Sequence, residues 1–104
     1  IAMDQTKQMV QPLYDSEDLL GFSVFGDTGE SVHNESFFSD EVAWQATVPF
    51  VNVMRKMTKA DRVVNRLTVE LDDVTLIYGR LEEGHALFTL RRSCDLDAAS
   101  AVLS

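Results

Sequence analysis

The histidines His33 and His85 and the single cysteine, Cys94, are the side chains best suited by type to metal binding or nucleophilic catalysis. A metal site needs several converging donors, and no cluster of ligand-type residues joins the two histidines. We therefore expect both to be surface or turn residues. Cys94 follows Arg91 and Arg92, which could lower its pKa, but its motif contains no histidine base. We expect it to be a small buried residue.

The acidic side chains form no recognisable acid/base pair. Asp72 and Asp73 are adjacent, as are Glu82 and Glu83, and neighbours in a strand or turn point apart. Residues 27–29 (Asp-Thr-Gly) resemble the tripeptide of aspartic proteases, but nothing else in the chain matches that class. No glycine-rich phosphate loop is present. The sequence therefore predicts no catalytic, cofactor-binding or metal-binding residue, and a protein that is not an enzyme.

Composition excludes several classes of protein. The chain of 104 residues is 45% hydrophobic and 25% charged, with a net charge of −8, which predicts one folded domain over residues 1–104. No apolar run approaches the roughly 18 residues of a membrane helix. The excess of acids disfavours binding to nucleic acid. We see no secretory signal and expect a cytoplasmic protein.

The net charge is confined to the first part of the sequence. Residues 1–41 contain nine acids and one base, Lys7, whereas residues 42–104 contain eight of each. Five bases stand close together in the second part: Arg55, Lys56, Lys59, Arg62 and Arg66. They are explained either as cations at a helix C-terminus or as a patch for an acidic partner. The acidic segment could in turn steer a basic partner.

The first half of the chain reads as a hairpin followed by a long helix. Residues 1–17 predict a weak helix or a frayed arm. Apolar residues 19–25, a Gly-Asp-Thr-Gly turn and residues 30–34 predict a β-hairpin. Ser39 is a suitable N-cap for a helix that extends to about Lys59, and Pro49 predicts a kink within it.

Apolar residues occupy two stripes of this helix. The first, sufficient for a helix packed on one side, consists of Val42, Ala46, Phe50, Val53, Met54 and Met57. The adjoining second stripe consists of Trp44, Val48 and Val51. It indicates a helix that is buried on more than one side, either within the domain or against a second chain.

Three closely spaced strands follow. Residues 63–71 alternate, with Leu67, Val69 and Leu71 on a dry face and Arg66, Thr68 and Glu70 on a wet one. Residues 74–81 and 85–90 are apolar on both faces, so both faces must be covered. Residues 96–103 predict a last helix. The fold class is α/β (α+β): a three-layer α-β-α sandwich with a mostly antiparallel five-stranded sheet, the central helix on one face and the terminal helices on the other.

The order of elements resembles that of the roadblock (dynein light-chain-like) domain family. The resemblance rests on the hairpin GFSVFGDTGESVH, the helix SDEVAWQATVPFVNVMRKM, the meander VVNRLTVELDDVTLIYGRLEEGHALFTL and the C-terminal residues 93–104. It covers residues 18–104, and Pro49 is a departure from it. Longin, profilin-like and sensor-type domains share parts of the pattern.

The resemblance implies a dimeric adaptor that pairs through the central helix and the neighbouring edge strand. It also implies a small Ras-like GTPase or a larger signalling assembly as partner. The second helix stripe and an open edge strand support such pairing independently. The residues that we expect at this interface are Trp44, Val48, Val51, Arg55, Val64, Arg66, Thr68 and Glu70.

A different class of function stays open from the sequence. A sensor domain of related α-β-α architecture would bind a small molecule between sheet and helix. The doubly apolar strands and a kinked helix could leave a pocket there.

Overall fold

A computed structural model gives the fold, and it describes residues 17–64 and 66–94 together with Gln11, Pro12, Asp15 and Asp97. Six elements follow one another in these residues. They are β1 (Leu19–Gly26), β2 (Ser31–Glu35), α1 (Asp40–Lys59), β3 (Arg66–Glu70), β4 (Val74–Leu81) and β5 (Gly84–Arg91). The predicted return strand was placed one residue too early. The weak helix or frayed arm predicted for residues 1–17 and the helix predicted for residues 96–103 lie outside the described residues, apart from single positions.

The strands form one five-stranded sheet in the order β2-β1-β5-β4-β3. Every neighbouring pair is antiparallel. The β1–β5 pairing, with Phe22 opposite Phe88, joins the N-terminal hairpin to the C-terminal meander. The predicted antiparallel sheet is therefore confirmed, and β2 and β3 lie at its two edges.

The helix α1 begins where its capping residues predict. The Ser39 hydroxyl accepts a hydrogen bond from the Val42 amide at 3.2 Å, and Asp40 and Glu41 occupy the first turn, where the helix dipole favours anions. The helix continues through Pro49 to Lys59. It lies on one face of the sheet, where the Phe50 ring stacks on Tyr78 with centroids 5.8 Å apart.

The side of α1 that faces the sheet differs from the predicted first stripe. The buried residues are Ala43, Thr47, Phe50 and Val51, while Val42, Val53 and Met57 are 46%, 41% and 43% exposed. Small residues on the inner side allow a close approach between helix and sheet. Thr47 is tolerated there because its hydroxyl donates to the Ala43 carbonyl at 2.8 Å.

Both faces of the central strands are buried, as their sequences predict. On the helix side Leu76, Tyr78 and Leu87 pack with residues of α1. On the opposite side Phe22, Ile77, Phe88 and other apolar residues form a second cluster. The described residues therefore form two hydrophobic cores, one on each side of a single sheet.

Candidate interaction surface

The residues predicted from the sequence to form an interface occupy different environments. Trp44 is half-buried: its ring lies 5.1 Å from Phe25 and 5.7 Å from His85 between centroids. Val51 is only 2% exposed and belongs to the helix-side core. Val51 is therefore covered by the domain itself, because this side of α1 faces the sheet. Trp44 is only half covered, and its place at an interface stays a prediction.

The remaining expected interface residues lie closer to the surface. Val48, Val64 and Arg66 are half-buried, while Arg55, Thr68 and Glu70 are exposed. Three of them, Arg66, Thr68 and Glu70, lie on β3. In the described part of the chain, β3 has β4 as its only neighbour in the sheet. Glu70 also pairs with Arg92 at 3.1 Å on the surface.

Sequence reasoning missed the apolar residues that α1 turns to solvent. Val42, Val53 and Met57 are exposed, with the exposed Pro49 between them. Successive members of the set Val42, Pro49, Val53 and Met57 are seven, four and four residues apart, which places them along one side of a helix. The same spacing was visible in the sequence but was assigned to the core, since a hydrophobic stripe usually faces inward.

The edge strand β3 also exposes apolar side chains. Leu67 pairs with Tyr78 and packs on the helix-side core. Val69 shares that face but is 39% exposed, and Leu71 just beyond the strand is 43% exposed. On the face of β3 that was predicted to be buried, only Leu67 is therefore packed against the core. We use the term α1/β3 surface for the exposed apolar residues of α1 and of the β3 edge: Val42, Val53, Met57, Val69 and Leu71.

The end of α1 next to β3 is basic. Arg55, Lys56, Lys59 and Arg62 are all exposed, and Lys56 and Lys59 lie in the last turn, where cations stabilise the helix dipole. Helix capping accounts for two of these four charges. The other two, Arg55 and Arg62, add positive potential, and the described residues show no structural role for either side chain.

His85 is a buried residue of β5, which contradicts its predicted place in a turn or at the surface. It is 1% exposed, and its Nδ1 atom lies 2.7 Å from the Tyr78 hydroxyl oxygen. Burial lowers the pKa of His85, and the nearby positive charge of Arg80 lowers it further. Burial likewise raises the pKa of Tyr78. Both groups are therefore neutral at neutral pH.

His33 and Cys94, the other residues considered for metal binding or catalysis, pack against neighbouring side chains of the fold. His33 is half-buried, stacks on Phe22 at 5.3 Å between centroids and lies 2.9 Å from Glu35. Cys94 is half-buried against the core on the opposite side of the sheet. Within the described ranges, no group of three His, Cys, Asp or Glu residues could hold a metal ion. In the same residues, no helix has the length and apolar character to cross a membrane.

An ion pair holds the two hairpin turns together near His85. The Arg80 guanidinium donates to the Asp27 carboxylate at 2.9 Å and to the Gly84 carbonyl at 2.7 Å. The turn between β1 and β2 is thereby tied to the turn between β4 and β5. The left-handed residue Gly29 in the first turn lies against the Trp44 ring, so this end of the sheet and α1 form one packed unit.

Comparisons with known proteins give the architecture a precedent. No protein-family model matches the sequence, and no curated protein is significantly similar to it. A solved roadblock/LC7 domain from Streptomyces avermitilis matches with a TM-score of 0.69 at 13% identity, over 82% of this chain and 76% of the other.

A second structure of a roadblock/LC7 domain from Streptomyces avermitilis matches with a TM-score of 0.63 at 16% identity, over 95% of this chain and 91% of the other. Both alignments extend over most of each chain, so they include the antiparallel sheet and α1 together. The chain therefore has the roadblock/LC7 fold.

Proposed function

We propose that this chain is a non-enzymatic interaction module that forms a homodimer through the α1/β3 surface. The observation that carries the proposal is the exposure of Val53 and Met57 on α1 together with Val69 on the edge strand β3. Exposed apolar residues on a helix and on an open edge strand are typical of protein interfaces. The roadblock/LC7 fold adds support, since the resemblance to that family implies pairing of this kind.

Two features of β3 fit pairing with a second copy. No other strand of the described sheet pairs with its outer edge, so the main-chain groups along that edge can pair with β3 of another chain. In an antiparallel pair around a twofold axis, Thr68 is the middle residue of β3 and Arg66 of one chain can approach Glu70 of the other. Two five-stranded sheets would then form one continuous sheet.

The test of the dimer is the solution mass of the chain at micromolar concentration, measured by sedimentation equilibrium. The wild type is expected at twice the chain mass of 11.7 kDa. Val53→Asp and Met57→Asp should each give a folded monomer, because a charge would be buried in an apolar contact. Val32→Asp is the matched control: Val32 is 43% exposed, like Met57, but lies on β2. A wild-type monomer, or an unchanged dimer in both α1 variants, contradicts the proposal.

As partner we propose a cytoplasmic Ras-like GTPase or a larger signalling assembly. The support is the fold resemblance and the exposed basic cluster Arg55, Lys56, Lys59 and Arg62, which suits an acidic surface. Hydrolysis would use the catalytic groups of the GTPase itself. Titration with a purified Ras-like GTPase from the same genome, in GDP-bound and GTP-analogue-bound forms, tests the first of these partners. Binding should weaken on Lys56→Glu, and no binding of either form contradicts a GTPase as partner.

The alternative of a small-molecule sensor has less support from the packing between α1 and the sheet. The rings of Phe50 and Tyr78 are parallel within 1° at 5.8 Å, and Trp44 packs between Phe25 and His85. Aromatic side chains thus fill the space where a ligand was expected. A metabolite that raises the melting temperature in proportion to its concentration would favour the sensor instead.

A further inference from the structure

We propose that the opposite edge of the sheet binds a basic, extended segment of a partner protein, which adds as a further strand beside β2. We term this site the β2 surface and define it by Val32, Glu35, Phe37 and Asp40. The strand β2 lies at the opposite edge of the sheet from β3, and the peptide test below does not depend on the state of the α1/β3 surface. The inference is therefore independent of the dimer proposed above.

The strand β2 is an edge in the described sheet. It pairs with β1 through Phe22–Glu35, Ser23–Asn34 and Val24–His33, and no other described strand lies beside it. An edge strand presents main-chain donors and acceptors to any extended chain that approaches. Addition of a strand to such an edge is a general way of binding peptides.

Apolar side chains are exposed along this edge. Phe37, in the loop between β2 and α1, is 66% exposed, and its ring contacts Phe38 with centroids 4.7 Å apart. Val32 is 43% exposed. Leu20, 37% exposed, precedes Gly21, which lies against the Glu35 carbonyl and Ser36. A large exposed aromatic residue is the type of side chain that anchors an interface.

Four hydrogen bonds of the Asn34 side chain hold the loop that carries Phe37 in place. The Asn34 side-chain amide donates to the Phe38 carbonyl at 2.8 Å and to Asp40 at 2.9 Å. Its oxygen accepts from Ser23 at 2.8 Å and from Ser36 at 2.6 Å. An exposed residue on a loop fixed in this way loses little conformational entropy on binding.

The charge around β2 determines the chemistry of the partner. Glu30, Glu35, Asp40 and Glu41 are exposed at or beside this strand. The sequence from Gln8 to Met54 contains eight acids and neither lysine nor arginine. An acidic edge with an apolar anchor complements a segment in which lysine or arginine alternates with apolar residues. It also disfavours edge-to-edge pairing of two β2 strands, since like charges would meet.

Selection from a library of random dodecapeptides tests the inference, with the full wild-type chain as bait and the Phe37→Ser chain for counter-selection. We expect the enriched peptides to be basic and β-forming, and to shift the backbone amide resonances of β2 and residues 36–38. Binding should weaken about tenfold on Phe37→Ser and on Glu35→Lys. Methylation of alternate backbone amides of the peptide should abolish binding, because main-chain pairing is then blocked.

Two controls separate this site from the others. Phe37 is exposed, so the melting temperature of Phe37→Ser should equal that of the wild type. Glu35→Lys removes the contact between Glu35 and His33, so its melting curve is recorded to show that the variant is folded at the temperature of the binding assay. Val53→Ser on the outer side of α1 should leave peptide binding unchanged. The inference is overturned if no peptide is enriched over the Phe37→Ser chain, if the enriched peptides are acidic, or if the shifted resonances belong to α1.

Discussion

The Tyr78 hydroxyl and the His85 Nδ1 atom form a 2.7 Å hydrogen bond between neighbouring strands, on the face of the sheet that α1 covers. Both residues are at most 1% exposed, so each is the other's polar partner in an apolar layer formed by Trp44 and Phe50. A buried polar pair of this kind is stable only while both groups stay neutral and bonded.

Stability should therefore fall when the pH is lowered below the ordinary histidine pKa of 6.5. Burial depresses the pKa of His85 in the folded chain. As the pH falls, this histidine is therefore protonated in the unfolded chain before it is protonated in the folded chain, and the equilibrium shifts toward unfolding. The contribution is complete above pH 6.5 and is lost between that value and the lower folded-state pKa. Urea unfolding measured at a series of pH values gives the slope.

The control for this pH dependence is the second histidine. His85→Phe should flatten the slope of unfolding free energy between pH 6.5 and the acid range, whereas His33→Gln should leave the contribution of His85 in place. Arg80, Arg55 and Asp27 also act on the charge of His85, and all three are retained in both variants. An unchanged slope in His85→Phe would contradict the assignment.

Removal of the Tyr78 hydroxyl should destabilise the fold through His85. Tyr78→Phe leaves His85 Nδ1 without its partner in a buried site, at a cost of about 1–2 kcal/mol. Once His85 is replaced by Phe, the same substitution should cost much less. A double-mutant cycle from urea unfolding gives the coupling, which we expect to be about 1 kcal/mol. Additive single effects would show that the hydrogen bond contributes nothing.

Local rules predicted much of the fold from the sequence. Ser39 with two acids after it marked the start of α1, and the glycine turn marked the first hairpin, because caps and turns depend on residues close in sequence. The long apolar runs of β4 and β5 identified strands buried on both faces. The terminal helices and the limits of a single domain over residues 1–104 stay predictions.

The candidate site was harder to predict because it depends on which side of a helix turns inward. Hydrophobicity predicts that Val53 and Met57 face the core and that Ala43 and Thr47 do not. The structure instead buries Ala43 and Thr47 and exposes Val53 and Met57. The Thr47 hydroxyl bonds to the backbone of its own helix, which no hydrophobicity pattern records. The assignment of His85 failed for a similar reason, since its partner Tyr78 lies on another strand.

Gly29 should be intolerant of any side chain. Its φ of +96° lies in the left-handed region, and an added Cβ would lie 2.5 Å from the Trp44 ring. Gly29→Ala should lower the free energy of unfolding by about 2 kcal/mol or more, from backbone strain and displacement of the ring. Urea unfolding followed by Trp44 fluorescence reports both effects.

The matched control is Gly79→Ala in strand β4. A Cβ at Gly79 would contact only Phe88, at 3.8 Å, an ordinary van der Waals distance. Replacement of glycine where the backbone allows it stabilises by about 0.4–1 kcal/mol through the unfolded state. Equal destabilisation by the two substitutions would show that neither the turn conformation nor the contact with Trp44 limits position 29.

Trp44 should govern folding and not association. Trp44→Asp places a carboxylate against Phe25 and His85, beneath the turn that contains Gly29. The loss of ring packing and the buried charge should together cost about 3 kcal/mol or more. Val53→Asp changes an exposed residue and should leave the unfolding free energy of the monomer unchanged. Circular dichroism and sedimentation on both variants distinguish the roles: a folded, monomeric Trp44→Asp chain would place Trp44 at the interface after all.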